Sequence, residues 1–200
     1  LLGLALLVAP FVLNVFYIKE LAYVLILAVA GLSLTLLIGY GGMVSLGSGA
    51  ILGLGAYLHT FFLNKGLTIY LSLPLAVLAT AGIATLVAMP ALRLAGMYLA
   101  IATLAIALLL EILFAHWESF TGGIQGMAVP PVQLAGLDLL NPKVFYFFCL
   151  FFAVATFWIA KNLLRTRTGR AWIAVRDSEV AAKSMGINAT RYKMLLFAVS

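Results

Sequence analysis

A chain of 200 residues that is 65% hydrophobic and 9% charged, with mean hydropathy +1.18, is not a soluble globular domain, since those run about 45–50% apolar and about 25% charged. The composition leaves one class, all-α: a polytopic transmembrane helical bundle. The +6 net charge sits in a single stretch, Lys161 to Lys193, which holds eight of the twelve basic residues and only Asp177 and Glu179 of the acids. A basic island between apolar runs points to a membrane surface or a protein partner rather than to nucleic acid.

Six apolar runs of spanning length are expected, at about 1–16, 21–38, 44–63, 68–92, 96–115 and 144–159, for a hydrocarbon core about 30 Å thick. Lys19 and Glu20 read as the polar corner between the first two. The second ends at Gly39-Tyr40-Gly41-Gly42. The third carries Ser45, Gly47, Ser48, Gly49, Gly53 and Gly55. Ser45, Gly49 and Gly53 recur every four residues and would share one helical face, with Gly49 and Gly53 forming a close-packing pair. Packing is the simpler reading. The sharper one is that glycines at 39–42 and 47–49 interrupt the helix and line a polar pathway.

The fourth run carries Pro74 and Pro90, with Arg93 in the turn that follows, and the fifth ends at His116-Trp117-Glu118. Residues 119–143, with Gly122, Gly123, Gly126, Pro130, Pro131, Gly136 and Pro142, are too broken for a span and form a long loop. A seventh run begins near Met194. The absence of an initial methionine and the apolar run at Ser200 suggest a piece of a longer chain, so 1–200 reads as one partial transmembrane domain. Cys149 is the only cysteine, which rules out an intrachain disulfide.

Two ionisable residues fall near the outer ends of spans, His59 and Glu111. Such groups are costly in a membrane and often functional, but snorkelling or mutual pairing is the simpler expectation here. With the island in the cytoplasm, nine basic residues lie inside and only Lys19, Lys65 and Lys143 outside, the sense the positive-inside rule requires. Loop 116–143 is then external, and Arg93 is a cytoplasmic anchor.

Within the island, Gly169 reads as the break in the polar run, and Arg170 to Arg176 as a helix with Ala171, Trp172 and Val175 on one face. Asp177 or Ser178 can cap a second helix with Glu179 in its first turn, and Gly186 is placed to close it. The bland reading of such a helix pair is an amphipathic anchor on the membrane.

The island's pattern, Gly169-Arg170-Ala171, then Val175-Arg176-Asp177-Ser178-Glu179, then Ala181-Ala182-x3-Gly186-Ile187-Asn188, resembles the cytoplasmic signature of ABC importer permeases. It looks most like the branched-chain amino acid permeases of the LivM type. Two other stretches agree, in order: LLIGYGGMVSLGSGAILGLGAY from Leu36 and GMYLAIATLAIALLLEILFAHWESFTGGIQGM from Gly96. The resemblance implies that 161–193 is a cytoplasmic coupling helix pair docking on an ATPase subunit. Its coupling residues are then Gly169, Arg170, Arg176, Asp177, Ser178, Glu179, Ala181, Ala182, Gly186, Ile187 and Asn188. The general signature has its glutamate directly before the two alanines, whereas here Val180 intervenes.

The same resemblance implies two cytoplasmic ATPase subunits, a second related permease and an external substrate-binding protein as partners, in a bacterial-type inner membrane. Gly41, Gly42, Ser45, Gly47, Gly49 and Gly53 become pathway or packing candidates, and Thr121, Gly122 and Gly123 an external docking loop. No Walker A motif is present, because no lysine follows a glycine. The chain is therefore expected to be a transporter subunit without catalytic residues, metal or cofactor of its own, ATP being used by its partners. Leucine, isoleucine and valine are the expected substrates. The alternatives are a urea or short-amide importer permease, a stand-alone secondary transporter, for which only Glu111 lies deep enough, and a non-transport scaffold.

Overall fold

The computed structural model describes residues 2–91, 96–134 and 137–200. Arg93, Gly136 and the end of the expected fourth span at Leu92 lie outside the described residues. The elements are α1 Leu2–Val12, α2 Val15–Leu34 running into a π-turn Thr35–Tyr40, α3 Ser48–Asn64, α4 Ile69–Ala91 and α5 Met97–His116. A short α6 Glu118–Thr121 and a 3₁₀ turn Gly123–Gln125 follow, then β1 Gln133–Leu134 paired antiparallel with β2 Leu137–Asp138, and finally α7 Pro142–Arg165, α8 Arg167–Asp177, α9 Glu179–Ser184 and α10 Ala189–Val199. Among the described residues, four stretches are long and apolar enough to cross a membrane: Val15–Tyr40, Ile69–Val87, Met97–His116 and Pro142–Arg165. This is the all-α bundle that the composition demanded.

Several boundaries differ from those the sequence suggested. The first break falls at Leu13–Asn14, and Lys19 and Glu20 lie inside α2. Asparagine competes for backbone bonds and favours helix starts, while lysine and glutamate are good helix formers. Helix α1 is therefore 11 residues, not a 16-residue span. Helix α7 continues through Lys161 to Arg165, where a basic residue suits a helix C-terminus. The next break is at Thr166, in extended conformation, and not at Gly169.

The chain forms two compact units. In the first, Leu1–Leu32 with Pro131–Asn162, α2 and α7 bury Ile18, Ala22, Tyr146, Cys149 and Leu150 against one another. The Tyr146 hydroxyl donates to the Leu6 carbonyl at 2.8 Å, which satisfies a buried polar group.

In the second, Ser33–Pro130 with Leu163–Ser200, α3 and α4 form an antiparallel hairpin around Leu54, Leu58 and Ala76. Gly66, at φ +85°, closes α3: its N–H bonds to the Leu63 carbonyl and that of Leu67 to Phe62, the paired bonds of a Schellman cap. Helix α5 runs in the same direction as α3, since Gly47 abuts Thr103, Gly53 lies near Phe114 and Phe61 stacks near Phe120.

Candidate functional site

The island folds as the helix pair its spacing suggested. Ser178 caps α9, its hydroxyl oxygen accepting from the Ala181 N–H at 3.2 Å. At the other end Gly186 takes φ +82°, its N–H bonding to Lys183 and that of Ile187 to Ala182, each at 3.0 Å. Ile187 then folds back on a small core of Val175, Ala182 and Ala189. Asn188 caps α10, accepting from the Arg191 N–H at 3.2 Å. Four signature residues (Ser178, Gly186, Ile187 and Asn188) thus fix the path of the chain from α8 to α10.

Contacts that spacing did not reveal hold these helices together. Trp172, 2% exposed, donates from Nε1 to the Tyr192 carbonyl at 2.9 Å and staples α8 to α10. Glu179 is bridged by Lys193 at 2.7 Å and by Lys183 at 3.0 Å. The hydrogen bond from Lys193, then that from Lys183, hold its carboxyl below the ordinary glutamate value against the opposing effect of burial. So Glu179, displaced from the usual signature position, ties α9 to α10 within the chain.

Gly169 is buried because α8 starts hard against the end of α7. An added Cβ would stand 2.5 Å from Leu164 Cα and 2.6 Å from its carbonyl carbon. By contrast Val180 and Met185 are 81% and 83% exposed on α9. Arg170 and Ala181 are exposed as well, while Ala182 is buried.

The third apolar segment becomes helical only at Ser48, and α3 then runs unbroken to Asn64. Ser45 lies outside α3, in a stretch from Gly41 to Gly47 that forms no helix and where burial alternates residue by residue. The Leu46 N–H bonds to Thr103 Oγ1 at 3.0 Å, and Gly47 presses on the Thr103 carbonyl, where a Cβ would stand at 2.9 Å. Among the described residues the Gly49 and Gly53 pair makes no close backbone approach: nothing lies within 4 Å of a Cβ at Gly49, and only a Phe114 ring carbon at Gly53. Both glycines instead border a cavity of about 490 Å³, completed by Ala50, Tyr57, Ala107, Glu111, Phe114, Ala115, Gly123 and Ile124.

Glu111 supplies the one charge on that lining; of the two expectations for Glu111 and His59, snorkelling or mutual pairing, His59 is engaged by Ser72 instead of Glu111. His59 Nδ1 lies 2.8 Å from Ser72 Oγ, which also donates to the His59 carbonyl at 3.0 Å. Of the three loop candidates, Thr121 and Gly123 are buried and Gly122 is exposed. The Thr121 hydroxyl bonds to the Phe114 and Trp117 carbonyls and so finishes α5, while Ile124 beyond it is 92% exposed.

These features define a multi-pass helical membrane protein with a polar, capped helix pair appended to its bundle. The match to known proteins is specific. A family model described as the branched-chain amino acid transport system permease component matches residues 16–200, and the chain belongs to that family. It is 33% identical to the high-affinity branched-chain amino acid transport system permease protein LivM of Salmonella typhimurium, over 203 aligned residues that cover 88% of this chain. It is 32% identical to the protein of the same name from Escherichia coli K12, over the same share of this chain. In both cases the alignment covers 47% of the relative, so the chain spans about half the length of the curated relatives it matches. No solved structure matches it.

Proposed function

We propose that this chain forms part of the permease subunit of an ABC importer that carries leucine, isoleucine and valine inward across a bacterial inner membrane. The observation that carries the reading is family membership over residues 16–200. The capped helix pair at the positions where the permease signature falls supports it. On this reading α8 and α9 are cytoplasmic and dock on one of two ATPase subunits. A second, related permease and an external binding protein complete the assembly. The chain itself binds no cofactor and no nucleic acid, and ATP is consumed by its partners.

Charge supports that sidedness, because the island's basic residues then stay inside. Exposed Val180 and Met185 offer apolar anchors for the ATPase, and the island's charges fix register on it. The non-helical stretch Gly41 to Gly47 and the cavity beside Gly49 and Gly53 are the proposed pathway, since non-helical backbone at membrane depth is tolerated where it is buried in protein or lines a cavity. In loop 116–143, Gly122 and Ile124 present the surface that a binding protein could touch.

The test is ATP-driven uptake by the full-length permease reconstituted with these partners, offered labelled leucine and labelled urea. Leucine uptake that requires the ATPase subunits is the expected result. Urea uptake without leucine uptake would replace the substrate class, and uptake without ATPase subunits would replace the importer reading by a stand-alone transporter. Glu179→Lys and Gly186→Arg should abolish uptake while leaving the protein inserted. Normal uptake in both would remove α9 from the coupling path.

A further inference from the structure

We infer that Arg176 is the positioning residue that joins α8 to the broken end of the second helix. The inference rests on the importer reading above, but its geometry is internal to the chain. A helix that stops leaves its last carbonyls without helical donors. After the π-turn Thr35–Tyr40, the next three backbone donors all reach upstream of Gly39: Gly41 to Leu36, Gly42 to Ile38 and Met43 to Leu37, each at 3.1 Å. The Gly39 carbonyl accepts from Arg176 Nη1 at 2.6 Å. A side chain of α8 therefore caps a membrane helix 137 residues earlier in sequence.

Three details make this a built contact. Asp177 Oδ1 accepts from both Nε and Nη2 of Arg176, each at 3.0 Å, which holds the guanidinium plane and leaves Nη1 aimed at Gly39. Gly42, at φ +63°, has no Cβ where the arginine stem passes: one would stand 2.6 Å from Arg176 Cγ. Gly41 beside it is buried under Leu196 of α10, so two of the three helices that follow α7 in this unit, α8 and α10, reach the same turn.

The turn is also mechanically apt. π-Turns are rare, and they occur often at functional sites. This one leads directly into the non-helical stretch ahead of α3. A displacement of α8 by a docked ATPase is thereby delivered to the backbone of the proposed pathway as a rigid-body movement. Arg176 and Asp177 are 41% and 61% exposed, so their ion pair adds little to stability. Its contribution lies in direction.

Two measurements on Arg176→Met and Arg176→Lys test the link. Hydrogen exchange on the full-length permease, without partners, should speed up in the 36–43 segment of Arg176→Met by about tenfold, the loss of one charge-assisted bond. Arg176→Lys, which can still donate to Gly39, should restore part of the protection. Unchanged exchange in Arg176→Met would overturn the contact whatever the protein transports. In the reconstituted importer, leucine transported per ATP hydrolysed should fall about tenfold in Arg176→Met, within the usual range of coupling energies, with partial recovery in Arg176→Lys. An unchanged ratio would overturn the coupling role. A wild-type complex that takes up no leucine would instead count against the importer reading, leaving the exchange result to judge the contact.

Discussion

Glycine does different work at the end of α9 and at the break before α3. Gly186 is needed for its own backbone: φ is +82°, and nothing lies within 4 Å of where its Cβ would stand. Gly41 is needed for its neighbours: its φ of −93° is ordinary, but a Cβ would meet the Leu37 carbonyl at 2.7 Å and the Leu196 side chain. One cap closes through bonds among residues 182–187. The other has its Gly39 carbonyl capped by Arg176, from the far side of the sequence, beside local bonds to Leu36, Leu37 and Ile38. Local closure survives alone, whereas closure by a distant side chain makes the break responsive to what that side chain is attached to.

The largest effect in this comparison belongs to a second steric glycine, Gly169. Its added Cβ would meet backbone atoms of Leu164, which cannot rotate away. Gly169→Ala should cost about 3 kcal/mol, the upper end for overpacking, and should be seen as a sharp fall in melting temperature in detergent. Gly186→Ala meets no atom and suffers only the left-handed backbone, so about 1–2 kcal/mol is expected. Gly186→Asn should recover part of that, because asparagine tolerates this region. Equal losses at the two positions would erase the distinction between steric and conformational glycine.

What could be read from the sequence divides along the same line. The Ser178 cap, the placement of Glu179 in the first turn and the Gly186 stop all depend on residues within a few positions of one another, so spacing carried them. The apolar runs placed the long helices because burial in lipid depends on composition. The cap that Arg176 places on the Gly39 carbonyl, the bond from the Leu46 N–H to Thr103 and the staple from Trp172 to the Tyr192 carbonyl join residues 137, 57 and 20 positions apart. No pattern in the immediate sequence encodes those partners. Four-residue spacing suggested a packing face for Ser45, Gly49 and Gly53, but Thr103 draws the chain out of the helix at Leu46 and leaves Ser45 beyond its start.

A smaller effect tests how far α9 depends on its ionic tie to α10. Glu179 has its carboxyl pKa lowered in the fold by Lys193 and then Lys183. A depressed carboxylate stabilises the fold at pH values above its unfolded value, and that contribution fades as pH falls through the lowered folded value. At neutral pH, Glu179→Gln should cost at most about 1 kcal/mol, since the carboxylate is 37% exposed. The difference in melting temperature between wild type and variant should shrink on acidification. A difference that grows toward acid would mean that the lysines stabilise something other than this carboxylate.

The smallest stability effect, and the sharpest contrast with Gly41, is expected at Gly49. Gly41 is packed against Leu37 and Leu196, whereas a Cβ at Gly49 meets nothing within 4 Å. Gly49→Ala should therefore be neutral or stabilising by up to about 0.5 kcal/mol, because alanine is the better helix former. Gly49→Leu should also leave melting nearly unchanged while filling part of the cavity that Gly49 shares with Gly53, Tyr57 and Glu111. If that cavity lies on the pathway, leucine uptake falls in Gly49→Leu with the protein fully folded and assembled. If uptake is retained at wild-type rate, the glycines beside α5 serve assembly with a neighbouring helix, and the pathway must run along the non-helical stretch from Gly41 to Gly47 alone.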